Sequence, residues 1–258
     1  MPYLRNACFT HCGDLDMLGA KEHHHIVLSG WLTTAGNIMS IITVASFKGG
    51  PGKTTVCQIL AMGLAERGVR VIVLDTDPTE AFSTWYEHTC EKKDFACIFE
   101  KDESKVVDLA YQKEEEYDLV IIDTAGFNNT AGSVSMTISN LVIVPVGIGS
   151  SDIDQAEKTI KHIEMYSKAM KRDIPTVALI NRFTRTNVAS HAVNELRELG
   201  IKSLDAVLGH RAPLAEISFS GVLPSSGTAR TEIDALIDEL AATGAVPSSK
   251  TVEVTKEN

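Results

Sequence analysis

Six short apolar runs restrict this chain to very few folds. They are IITVAS at 41–46, VRVIVLD at 69–75, DLVIID at 118–123, LVIVPV at 141–146, PTVALIN at 175–181 and LDAVLG at 204–209. Each is rich in β-branched residues and lacks the polar alternation of a strand with one wet face. Each therefore predicts a strand buried on both sides. Helical patterns stand between them. KTTVCQILAMGLAERG places Val56, Ile59, Leu60, Gly63 and Leu64 on one stripe and closes at Gly68. SDIDQAEKTIKHIEMYSKAMKR opens on Ser151 or Asp152 as an N-cap and carries Ile153, Ile160, Ile163 and Met170. NVASHAVNELRELG and TARTEIDALIDELAATG are two more. Strand and helix in alternation predict an α/β fold, a mostly parallel twisted sheet with helices on both faces.

The first run also marks a boundary. Residues 1–38 mix Gly, His, Cys and Thr without a period and read as a flexible N-terminal extension. Its Cys8, His11, Cys12 and His23–His25 match no common zinc spacing. A single domain is expected over 39–245, followed by a polar, flexible tail over 246–258. The five cysteines (Cys8, Cys12, Cys57, Cys90 and Cys97) are irregularly spaced and suit reduced thiols in the cytoplasm. No apolar run reaches the roughly 18 residues of a membrane span. No basic segment leading into an apolar one marks a secretory signal. A formal net charge of −10 excludes a generally basic nucleic-acid coat, so any DNA contact has to come from a local basic patch.

Chemistry concentrates at SFKGGPGKTT, residues 46–55, between a buried strand and an amphipathic helix. Gly49, Gly50, Pro51 and Gly52 form a turn that can aim backbone N–H groups at an anion, with the helix dipole behind them. Lys53 would reach the β- and γ-phosphates of a nucleotide, Thr54 would bind Mg²⁺ and Thr55 would touch the α-phosphate. The plain alternative is a glycine turn capped by Thr. The strict phosphate-loop pattern wants glycine at 47, where Phe47 stands, and it does not need the second lysine, Lys48. Asp123 ends YDLVIID as the metal's carboxylate would, although a strand-terminal Asp can also cap a following helix. Asp75 and Asp77 in LDTDP stand two residues apart at another strand end, facing the same crevice. One could hold the metal's water shell and the other orient an attacking water. The competing reading is an Asp–Pro turn.

These motifs together resemble the ParA/MinD family of P-loop ATPases. KGGPGKTT is similar to its deviant Walker A box, LDTDP to its second box and IIDTAG to its Walker B. The likeness runs over about residues 39–242 and extends to INRF at 180–183, LGHRAPLAEISFSG at 208–221 and TARTEIDALIDEL at 228–240. In length and spacing it is nearest to small plasmid-partition ParA proteins and VirC1-like proteins. The resemblance implies a P-loop NTPase-type sheet, ATP and Mg²⁺ as ligands, and slow, partner-stimulated ATP hydrolysis. In the family, Lys48 crosses a dimer interface to the partner's nucleotide. It stands with Lys53 and Asp77 in the catalytic set, while Thr54, Asp75 and Asp123 are the metal set. Asn181 and Arg182 match the adenine region, and Arg211 falls in the segment near the base.

The resemblance further implies a homodimer that binds non-specific DNA at the nucleoid and is released by a centromere-binding, ParB-like partner. Candidate DNA contacts are Lys158, Lys161, Lys168, Lys171, Arg172, Arg185, Arg197, Lys202 and Arg230. Plasmid or chromosome partition is the leading expectation. The alternatives are VirC1-like promotion of conjugative or T-DNA transfer and MinD-like spatial positioning. No membrane contact is expected, since PSSKTVEVTKEN lacks the apolar and basic faces of a surface-binding helix.

Overall fold

The computed structural model describes residues 40–126, 130–184 and 187–247. In chain order the elements are β1 (Ser40–Val44), α1 (Lys53–Glu66), β2 (Val71–Asp75), α2 (Ala81–His88), β3 (Ala96–Phe99), α3 (Glu103–Glu116), β4 (Leu119–Asp123), α4 (Thr130–Ile138), β5 (Leu141–Val146), α5 (Ser150–Met170), β6 (Thr176–Phe183), α6 (Asn187–Glu198), β7 (Ser203–Gly209), α7 (Ala212–Ser220) and α8 (Gly227–Ala242). The strands form one seven-stranded sheet in the order β3-β2-β4-β1-β5-β6-β7. Every neighbouring pair is parallel.

All six expected strands are present. β1, β2, β4 and β5 are buried at every residue, as strands covered on both faces must be. Their pleat divides the core. Ile42 and Val44 of β1 face α1, α7 and α8, while Ile41 faces α3 and the end of α4. α5 and α6 cover β5 and β6 on that second face through Ile153, Ile163 and Leu196. Burying each such side chain contributes about 1.5–3 kcal/mol, so the sheet centre is the most strongly fixed part of the molecule.

The edges are less regular. β7 is joined to β6 with register shifts. Its outer N–H groups are taken up by α8: Glu239 accepts from Asp205 N at 2.9 Å and Ala206 N at 2.7 Å, and Glu232 accepts from Gly209 N at 3.0 Å. At the other end, α7 stops on Gly221, whose φ of +67° is left-handed. A Cβ there would lie 1.9 Å from the Thr89 carbonyl oxygen, so only glycine lets α7 end against the end of α2.

Two details differ from expectation. α5 is capped by Gly149 and begins at Ser150, which puts Asp152 in the first turn instead of at the cap. Val246, placed in the polar tail by sequence, is 1% exposed and closes the core beneath α8. The cysteines and histidines of the N-terminal extension lie outside the described residues. Among the described residues no helix is long and apolar enough to cross a membrane.

Candidate functional site

In a parallel sheet every strand delivers its last residue to the same edge, and there the loops gather their side chains. β1 runs into the loop at 45–52 and then α1. Gly50 and Gly52 of that loop have φ of +93° and +96°. At Gly52 a Cβ would fall 2.3 Å from Asn181 Nδ2, so a side chain here would both strain the backbone and strike the end of β6. Asn181 holds the loop from that side, Nδ2 donating to Pro51 O at 2.8 Å while its Oδ1 accepts from Arg182 N at 2.9 Å. Lys53, the first residue of α1, is only 7% exposed.

Phe47 shows why glycine is not required at its position. Its N–H donates to Thr159 Oγ1 of α5 at 3.1 Å, and its ring meets His162 edge-on at 5.4 Å between centroids. The loop is thereby fastened to α5 by a residue that strict phosphate loops lack. Lys48 follows the same direction: its Nζ lies 3.0 Å from Asp152 Oδ1 in the first turn of α5.

β2 and β4 bring Asp75 and Asp123 into direct register, side by side and fully buried. Their surroundings differ sharply. Asp75 accepts from Ser83 N and Ser83 Oγ, both at 2.8 Å, and from Asp77 N at 3.1 Å. Burial still pushes its carboxyl upward, with the Ser83 bonds opposing. Among the described residues, Asp123 has no hydrogen-bond partner at either carboxylate oxygen. Burial raises it to about 7; the Thr54 hydroxyl leaning toward it opposes, the Asp75 charge adds, and Lys53 opposes in turn. A buried carboxylate with two orphaned oxygens is costly unless a cation completes it. The site therefore fits a hard divalent ion held by Asp123 and the Thr54 hydroxyl. Asp75 is already engaged by Ser83 and Asp77.

The remaining expected residues fall into place unevenly. The Asp77 carboxylate accepts from Thr79 N and Oγ1, both at 2.9 Å, at the exposed mouth of the crevice. Arg182 is exposed at the end of β6, with a left-handed φ of +59°. Arg211 precedes α7, and its guanidinium is clasped by Glu232, Nη2 to Oε1 at 2.7 Å. Sequence reasoning missed Ser83, Asp152, Thr159 and Cys57. Cys57 lies one helical turn after Lys53, is fully buried beside Asp123, and has its thiol pushed well up by burial and by that carboxylate. Only Asp152 carried a signal, as an acidic residue at the start of a strong helical pattern.

The basic candidates do not form one patch. Lys158, Lys168 and Lys171 are exposed on α5 or its C-cap, where Lys161 pairs with Glu157. Arg172 is engaged by the carbonyl oxygens of Thr137 and Ser139 at the end of α4. Arg197 meets Asn194 on α6, and Lys202 is exposed just before β7. Arg230 sits on α8, across the sheet from α5, bound to Asp234 and Glu66. Arg185 lies outside the described residues.

Comparison with known proteins agrees with this geometry. The VirC1 protein family model matches residues 39–236. Protein virC1 of Rhizobium radiobacter is 29% identical over 167 residues, 62% of this chain and 72% of its own. Protein ParA of the same organism is 25% identical, covering 78% of this chain and 92% of its own. Among solved structures, an ATP complex of a Cyanothece McdA variant shares the fold with a TM-score of 0.68 at 13% identity, over 81% of this chain and 98% of that one. A doubly covered parallel sheet, a two-lysine phosphate loop and a family match across nearly the whole described core assign the chain to the VirC1 family, within the ParA/MinD-type P-loop ATPases.

Proposed function

We propose that the chain is an ATP-dependent dimerisation switch acting on DNA, with slow hydrolysis quickened by a partner protein. The observation that carries this reading is the pairing of a two-lysine loop with the orphaned Asp123 beneath it. When bound, ATP with Mg²⁺ supplies a γ-phosphate and the charge that neutralises it. The chain's own residues do the rest. Gly49, Gly50 and Gly52 leave the loop's N–H groups free to face phosphate oxygens, and Lys53 adds a cation from the start of α1. Thr54 and Asp123 would hold the ion, and Asp75 would orient its water. Asp77 stands at the mouth of the crevice, where an attacking water would enter, and would hold it in line. Asn181, already bonded to the loop, Arg182 and Arg211 would lie near the base.

Lys48 is the residue that turns binding into a switch. In the single chain its ammonium rests on Asp152. Facing a second nucleotide-loaded copy, the same group can turn to that copy's phosphates, where two clusters of negative charge would otherwise repel. The pair it leaves is half exposed and worth only about 0–1 kcal/mol, so the exchange is inexpensive. Lys48→Ala is expected to bind ATP and fail to dimerise with it. Light scattering that shows undiminished ATP-dependent dimers would overturn the reading.

Plasmid or chromosome partition is the client the ParA likeness supports. The VirC1 family match supports promotion of conjugative or T-DNA transfer as the second reading. ATPase rates measured with DNA, a ParB-like protein and a relaxase complex, singly and combined, separate the two.

A further inference from the structure

Three hydroxyls gather where β2 runs out, in DTDPTEAFS at 75–83, and each donates to Asp75, Asp77 or Asp123. Thr76, fully buried, donates from both N and Oγ1 to the Asp123 carbonyl oxygen at 2.9 Å. That ties the residue before Asp77 to the end of β4. Behind it, Asp75 divides its oxygens. Oδ1 accepts from Asp77 N at 3.1 Å, while Oδ2 accepts from Ser83 N and Ser83 Oγ, both at 2.8 Å. In front, Thr79 N and Thr79 Oγ1 both reach the same oxygen of Asp77, its Oδ1, at 2.9 Å. Among the described residues, Asp77 Oδ2 has no hydrogen-bond partner. The turn is also held against its own preference. Glu80, the N-cap of α2, has a left-handed φ of +55°, which is unfavourable for a residue with a side chain. It is pinned there by its N–H, which donates to Asp77 O at 2.8 Å, and by its carbonyl, which accepts from Thr84 N at 2.9 Å.

We propose that Thr79 is a positioning residue for hydrolysis, supported from behind by Ser83. By occupying Oδ1, the Thr79 hydroxyl fixes the rotamer of Asp77 and reserves Oδ2 for the attacking water. Ser83 anchors Asp75 to α2, and Asp75 in turn anchors the Asp77 main chain. A carboxylate fixed at its backbone and at one oxygen is ordered before the water arrives, so less freedom is lost at the transition state. Without the hydroxyl, a single N–H is left to hold it, and the side chain can turn to another rotamer. The Asp–Pro turn and the pair of working carboxylates in LDTDP then describe one device, in which the turn aims the carboxylate. The proposal rests on the part given to Asp77 under the nucleotide reading above.

The test uses the full chain with ATP and Mg²⁺ in single-turnover hydrolysis, with affinity for a fluorescent, non-hydrolysable ATP analogue measured beside it. Thr79→Val keeps the shape and the N–H and removes the hydroxyl, which Thr79→Ser restores. Thr79 is exposed, so neither change opens the core. Thr79→Val is expected to slow hydrolysis about tenfold and leave analogue affinity within about twofold. Thr79→Ser is expected to recover most of the rate. A second readout needs no nucleotide. By hydrogen–deuterium exchange, Ser83→Ala is expected to speed exchange in the segment 76–82 about tenfold, and to slow hydrolysis with it. Thr79→Val at the wild-type rate, or Thr79→Ser as slow as Thr79→Val, overturns the proposal. So does a fall in analogue affinity that matches the fall in rate, since the turn then shapes binding and not the water's carboxylate. Unchanged exchange and rate in Ser83→Ala overturn the support assigned to Ser83. Asp77→Ala separates the two levels, because it is expected to bind ATP without hydrolysing it. If it hydrolyses at the full rate, the part given to Asp77 falls and the proposal with it. If it is inactive while Thr79→Val is not slowed, the positioning alone falls.

Discussion

The decisive residue is Asp123, because the fold places a charge where no described residue satisfies it. Its pKa rises on folding from 3.8 to about 7, so the folded state holds the proton more tightly than the unfolded chain. That contribution to stability is fully present below about pH 4 and is lost as the pH climbs to about 7. Above that, keeping the carboxylate charged costs the nucleotide-free fold on the order of 4 kcal/mol. Urea unfolding without nucleotide is therefore expected to show wild-type stability falling between about pH 4 and pH 7. Asp123→Asn is expected to fall much less over the same interval. The same variant is expected to lose Mg²⁺-dependent ATP binding, read by calorimetry. A pH profile identical in the two proteins would mean that the carboxylate is solvated after all. Sequence located Asp123 correctly, since an apolar run ending in Asp is a strand with a terminal carboxylate. It could not show that Asp75, equally acidic and in register with it, is satisfied by Ser83. That difference lies mainly in one serine, eight residues away at the start of α2, whose N–H and hydroxyl both donate to Asp75.

At the scale of elements, α5 is more than a cover for the sheet. Thr159 and His162 hold Phe47, and Asp152 holds Lys48, so two successive residues of the loop are moored to one helix. Asp152 also sits in the first turn, where a negative charge is favoured by the helix dipole. Asp152→Ala would free Lys48 at little cost to folding. It is expected to raise the dimer fraction at limiting ATP, measured by light scattering. An unchanged fraction would show that the ion pair restrains nothing. The elements that sequence exposed were those with strong patterns: the six strands β1, β2, β4, β5, β6 and β7, and α1, α5, α6 and α8. β3, α2, α3, α4 and α7 were not anticipated. β3 is four half-buried residues at an edge, too short and too mixed for a strand signature. α3 buries only Val106 and Ala110 among fourteen residues, so its stripe is too thin to stand out. α7 interrupts its pattern with a proline at its start, a position that suits a helix and hides it from a search for apolar period.

For the molecule as a whole, the separation of basic residues by the sheet limits where the proposed DNA contact can form. With a net charge of −10, only a local cluster can overcome the general repulsion of phosphate. Lys158, Lys168 and Lys171 share one helix and its cap, while Arg230 is neutralised on the far side. Changing Lys168 and Lys171 together to Ala is expected to weaken DNA binding of the ATP-bound protein and to flatten its salt dependence by a slope of about 2. Arg230→Ala is expected to leave DNA binding intact and lower thermal stability. The reverse pattern, in filter binding and thermal melts, would move the DNA surface to the α8 side. Sequence supplied the list of cations; only packing could say which of them were already spoken for.

The carboxylates that α8 lends to β7 have one more consequence. With Asp205, Ala206 and Gly209 already donating inward, that border offers an incoming chain no ladder to extend. Filaments growing by hydrogen-bonded continuation from this margin are thereby discouraged.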